Sequence, residues 1–305
     1  MSGVLSGFSV IGAVIAVGYL LARSGTLGPH APAVLSRVAF SVATPALLFT
    51  TLAAADLSVV FSRTLVVISG AALLSAALFA AVGAVRRWGV GTTTIGALGA
   101  SQVNAANLGI PIAVYVLGDA GAVAPVLLFQ LVLLVPVALT VLDVTVADGT
   151  GTRWSRVWTP FRNPVLVGSV AGLVVSGTGW SLPPLLLDPV GVIGGLAVPA
   201  VLLAYGMSLR GSPWPGRGPD RGPVLLAVAL KLLLAPTAAW LLGTGLGLDR
   251  DGLLVVVVLS ALPAAQNLLV FAVTYRTGVD LARETITLST VLSVPVLFVV
   301  AALLG

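Results

Sequence analysis

A chain of 305 residues with 58% hydrophobic and only 8% charged residues is not an ordinary soluble domain, where about a quarter of residues carry charge. Apolar runs of about 20 residues recur along its whole length, each long enough to cross hydrocarbon as a helix. The chain therefore reads as a polytopic membrane protein with no room for a separate soluble domain. A net charge of +5 does not mark a nucleic-acid binder. The arginines lie in short connections between apolar runs and form no stripe interleaved with aromatics. The absence of cysteine excludes disulfides and thiolate sites, and the only histidine, His30, falls in a Gly/Pro loop.

In chain order the apolar runs predict ten spans, at 4–22, 34–54, 64–86, 94–117, 122–146, 163–178, 188–209, 223–246, 252–275 and 281–304. The first has no basic residue before it and Arg23 after it. That is the reverse of a secretory signal, so it reads as a true span. The domain reading is a five-helix N-terminal repeat over 1–147, a polar cytoplasmic linker over 148–162, and a five-helix C-terminal repeat over 163–305.

Charge sets an orientation. Connections after odd-numbered spans, with their flanks, hold Arg23, Arg37, Arg86, Arg87, Arg153, Arg156, Arg162, Arg210, Arg217, Arg221, Arg276 and Arg283. Connections after even-numbered spans hold only Arg63 and Arg250. The positive-inside rule then places odd connections in the cytoplasm and both termini outside. An odd number of spans per half makes the halves inverted. Three prolines recur in order between them, as Pro45 with Pro199, Pro111 with Pro263 and Pro136 with Pro295, at offsets of 154, 152 and 159. The fold expectation is thus an all-α integral membrane protein, ten helices in a 5+5 inverted repeat.

Spans 4 and 9 carry the chemistry. Span 4 holds Ser101-Gln102-Val103-Asn104-Ala105-Ala106-Asn107-Leu108-Gly109-Ile110-Pro111, and span 9 holds Ala261-Leu262-Pro263-Ala264-Ala265-Gln266-Asn267. A proline inside a helix removes a hydrogen bond and crowds the preceding turn. The helices are therefore expected to stop and restart at Pro111 and Pro263, each restart offering bare N–H groups suited to a carboxylate. Broken helices in matching places of two halves point to a transporter's binding site. Linear counting puts Pro263 near mid-span and Pro111 nearer the outer end.

The candidate substrate-binding set is Gln102, Asn104, Asn107, Pro111, Pro263, Gln266, Asn267 and Lys231. The amides either line the site or satisfy freed backbone groups and glue helices together. Lys231, eight residues past Pro223, either snorkels to the cytoplasmic interface or faces the interior as a countercharge. Neither broken span contains Asp or Glu, so ion coupling has no evident carrier there. No metal or cofactor is expected. The expected partners are a small organic acid and the lipid bilayer, with a second copy of the chain as a candidate and nucleic acid excluded.

Asn104 to Pro111 followed by Leu117-Gly118-Asp119 resembles the signature of the auxin efflux carrier family, which includes bacterial permeases. So do Asn163-Pro164, Ala197-Val198-Pro199 with Gly206-Met207-Ser208-Leu209, Lys231 to Pro236, and Ala261-Leu262-Pro263 with Asn267. Val103 and Ala106 stand where that family usually has glycines, and Asn107 where an aromatic is common. The resemblance implies helices 4 and 9 crossing at their prolines, a scaffold of spans 1, 2, 6 and 7, and a moving core working as an elevator. It also implies organic-anion substrates.

Two other classes compete. A sodium-coupled carrier of the bile-acid-symporter type shares the arrangement but normally leans on carboxylates missing here. A non-transporting membrane sensor is open too. An intramembrane enzyme needs a nucleophile–base pair or metal cluster at depth, and the spans supply neither. Without a G-x-x-x-x-G-K-[ST] motif the chain does not itself run on nucleotide.

Overall fold

The computed structural model describes residues 2–54, 62–118, 120–146, 164–210 and 220–304. The linker 148–162 and Asp119 lie outside the described residues. The described chain is helical, because hydrocarbon requires every backbone group to find its partner within the chain. The helices are α1 (Ser2–Ser24), α2 (Ala31–Ala53), α3 (Arg63–Val85), α4 (Val90–Ser101), α5 (105–117), α6 (120–146), α7 (Pro164–Thr178), α8 (Pro184–Ser208), α9 (Arg221–Gly245), α10 (Arg250–Ser260), α11 (Asn267–Thr274) and α12 (Val279–Leu304).

Six of these are long and apolar enough to cross a membrane by length and composition: α2, α3, the Gly121–Val144 stretch of α6, α8, α9 and α12. The α4 and α10 segments have 12 and 11 residues, roughly 18 Å each at 1.5 Å per residue. Neither crosses alone. Each is followed, after a short irregular stretch, by a second half-helix, α5 or α11.

Position of the first break departs from the sequence expectation. The helix stops at Ser101 and restarts at Ala105, so Pro111 sits inside α5. The second break, 261–266, does contain Pro263. Pro111 is tolerated within a helix because a wide π turn, Ala105–Gly109, precedes it. The same pairing recurs elsewhere: Ala39–Ala43 before Pro45, Phe129–Leu134 before Pro136 and Leu230–Leu234 before Pro236. A proline cannot donate to the turn behind it, and its ring pushes that turn open. Among the described residues, four prolines thus follow a widened turn inside a helix, whereas Pro263 lies in a break.

Two packing groups emerge. Helices α1, α2, α7 and α8 pack on one another, with α1 against α8 and α7 against α2. Glycines allow this approach: a methyl on Gly206 would run into the Ile15 carbonyl, and one on Gly18 into that of Leu203. Gly168 and Gly172 meet the carbonyls of Pro45 and Phe49 in the same way. Helices α3, α4, α6, α9, α10, α11 and α12 form the second group. Buried apolar side chains of this group, including Val67, Val257 and Leu262, share one core with Leu108 of α5 and with Leu48 and Leu202 of the first group.

Candidate functional site

The two breaks meet. Val103 and Ala264 face each other as an antiparallel bridge. Asn104 donates its backbone N–H to the Pro263 carbonyl at 2.8 Å, and Ala265 donates to the Gln102 carbonyl at 3.3 Å. Gln102 is extended at φ −74°, ψ 126°, the geometry of a strand rather than a helix. Backbone groups freed where α4 and α10 end are thus paired across the crossing instead of along a helix.

Side chains from neighbouring helices complete that pairing. Gln130 on α6 accepts the Val103 N–H through Oε1 at 2.8 Å. Ser289 on α12 accepts the Ala264 N–H through Oγ at 3.1 Å. Each strand-like segment is therefore held by the other segment and by one buried polar side chain.

A cavity of about 150 Å³ opens beside the crossing. Its polar wall consists of Gln102, Asn104, Gln130, Gln266 and Asn267 from the second packing group, with Ser36 and Thr44 from α2 opposite. Phe40, Leu48, Leu127, Leu131, Val201 and Val270 supply the apolar wall. The cavity thus lies between the two groups of helices. Among the described residues, no charged side chain lines it.

Several polar atoms on this wall are buried without a hydrogen-bond partner: Asn104 Nδ2, Gln102 Oε1 and Asn267 Oδ1. Leaving such a group unpaired costs about 1–3 kcal/mol, so each calls for a partner from outside the chain, such as water, an ion or a guest. Among the described residues, no acceptor meets the backbone N–H of Gln266 or Asn267 at the start of α11. That end of α11 bears the positive pole of its peptide dipoles. The wall thus offers donors, from Asn104 Nδ2 and the two backbone N–H groups, beside two amide oxygens that can only accept.

Of the candidate residues, Gln102, Asn104, Gln266 and Asn267 come together on the cavity wall. Pro263 is not on that wall, and its carbonyl serves the crossing. The side chains of Asn107 and Pro111 lie outside the described residues. Lys231 is 1% exposed and turns inward, so it does not snorkel. It lies beyond the crossing, beside a second cavity of about 10 Å³ shared with Ser101, Gln130 and Ser260, and does not reach the larger one. Sequence reasoning missed Ser36, Thr44 and Gln130. Gln130 was discoverable as the amide of an otherwise apolar stretch, Leu127-Leu128-Phe129-Gln130-Leu131.

Broken half-helices paired beside a polar cavity, among six helices of membrane-crossing length, are the build of a multi-pass membrane protein. The chain belongs to the membrane transport protein family, of auxin efflux carrier type, whose model matches residues 9–145 and 154–301. It is also 28% identical over 287 residues to an uncharacterized transporter of Methanothermobacter thermautotrophicus, covering 92% of this chain and 91% of that relative.

Proposed function

We propose that the chain is a secondary carrier that moves a small mono- or dicarboxylate across the cytoplasmic membrane. The observation that carries this reading is the unpartnered Asn104 Nδ2 in the same cavity as the bare N–H groups of Gln266 and Asn267. A carboxylate has two oxygens, each able to accept more than one such donor. The Leu127, Leu131 and Val270 wall accommodates a short carbon chain.

An elevator motion is supported by the cavity's placement. One wall belongs to α2 and α8, and the other to the crossing and α6. Sliding the second packing group past the first would carry the crossing and its guest as one body. A ten-span inverted repeat is supported by the matched roles of Gln130 at Val103 and Ser289 at Ala264. Both termini lying outside is the orientation that the arginine distribution supports.

The test is uptake of radiolabelled malonate and malate into proteoliposomes with and without sodium. Saturable, sodium-independent uptake, weakened in Asn104→Ala, is expected. Strict sodium dependence would favour a symporter of the bile-acid type. Binding without any uptake would favour a sensor.

A further inference from the structure

The cavity behind the crossing holds a group that the carboxylate reading does not use. Lys231 lies on the wide turn Leu230–Leu234 of α9 and is among the largest fully buried side chains. The cavity it lines is walled by Ser101, Gln130 and Ser260 as the polar residues. Val103 and Gln130 line this cavity and the larger one alike, so only the crossing strand and one amide separate them. Ser101 Oγ donates to the Ala97 carbonyl at 2.7 Å, which leaves its lone pairs available as acceptors. Ser260 Oγ is buried with no partner.

No hydrogen bond or ion pair reaches Lys231 among the described residues. The elements around its turn carry charges only elsewhere. Arg63 on α3, Asp143 on α6, Arg221 on α9, Arg250 and Asp251 on α10, and Asp280, Arg283 and Glu284 on α12 do not line the cavity, and α4 has no charged residue. An ammonium group at such depth without a counter-charge is heavily penalised. An anion on the far side of one strand relieves that penalty through a medium that screens poorly. Ser260 can serve either state, accepting from an ammonium or donating to an amine.

We propose that Lys231 is the proton site of the transport cycle: its amine binds one proton when an anion occupies the larger cavity and returns it to water when the anion leaves. Only the N–H bond on Nζ forms and breaks, and one positive charge travels with each anion bound. Reciprocity follows, because whatever the anion does for the proton the proton does equally for the anion. The inference rests on the carboxylate reading above.

Isothermal titration of the full-length protein with malonate, in two buffers of different ionisation heat and at several pH values, reads the protons taken up per anion. Wild type is expected to take up as much as one proton per malonate. Lys231→Met is expected to bind about ten- to a hundredfold more weakly with no proton uptake. Lys231→Arg, which keeps a permanent charge, is expected to bind without uptake and decides the matter if the methionine variant does not fold. Malonate binding by wild type with no proton exchange, or exchange that survives in the arginine variant, overturns the proton site and leaves the carboxylate reading standing. Failure of wild type to bind malonate, malate or acetate overturns both.

Discussion

Gln130 accepts the backbone N–H of Val103 at 2.8 Å, and that bond decides which end of its amide faces the crossing. It also makes Gln130 the side chain through which the two cavities share a wall. Replacing it with leucine leaves a buried N–H without an acceptor, which costs about 1–3 kcal/mol. Gln130→Leu is therefore expected to lower the melting temperature in detergent. Ser289→Ala, which orphans the Ala264 N–H, should act alike. Unchanged melting in both would show that the crossing does not need its side-chain supports.

Asn104 should behave in the opposite way. Its Nδ2 is buried and has no partner in the free protein, so Asn104→Ala removes an unpaired donor and should leave the free protein at least as stable as wild type. If a carboxylate accepts from that amide, binding should weaken about ten- to a hundredfold, the range of one charge-assisted hydrogen bond. Microscale thermophoresis with labelled protein measures it. Loss of stability with intact binding would assign Asn104 to the frame rather than to the guest.

Close approach of α1 and α8 depends on Gly18 and Gly206, where an added methyl meets the backbone of the facing helix. Gly206→Ala is expected to destabilise by about 1–3 kcal/mol through overpacking. Gly12→Ala is the control, since its methyl meets nothing within 4 Å. It should be neutral or stabilising by about 0.5–1 kcal/mol, the gain of alanine over glycine in a helix. Equal effects at both positions would contradict the packing described.

Tyr275 donates its hydroxyl to Asp143 Oδ1 at 2.6 Å, tying the end of α11 to α6. Tyr275→Phe should cost about 1 kcal/mol, reduced from a buried charge-assisted bond because the pair is only partly buried. A double-mutant cycle with Asp143→Asn should return a coupling energy of that size. Additive effects would mean the bond is not made in solution.

Much of this was legible in the sequence, for physical reasons that also set the limit. Span length and apolar content follow from bilayer thickness, so the long helices α3, α9 and α12 lie close to where hydropathy places them. The amides Gln102, Asn104, Gln266 and Asn267 stood out because apolar surroundings make polar residues conspicuous. What could not be read was pairing. Pro111 looked like the breaking point because proline is a local signal. The helix instead ends where Val103 and Asn104 find better partners in Gln130 and Pro263, which are remote in sequence. Ser36 and Thr44 join the cavity for the same reason, through the docking of α2 rather than any motif of their own.

The clasp between Val103 and Ala264 is built from main-chain atoms, and main-chain atoms do not change when a side chain does. The frame therefore tolerates changes at 103 and 264 themselves so long as Gln130 and Ser289 still accept its N–H groups. A different side chain at 103 alters the upholstery beside the cavity without removing a main-chain bond of the joint. A lineage can in this way trade one cargo for another by small steps, never passing through a form that fails to close.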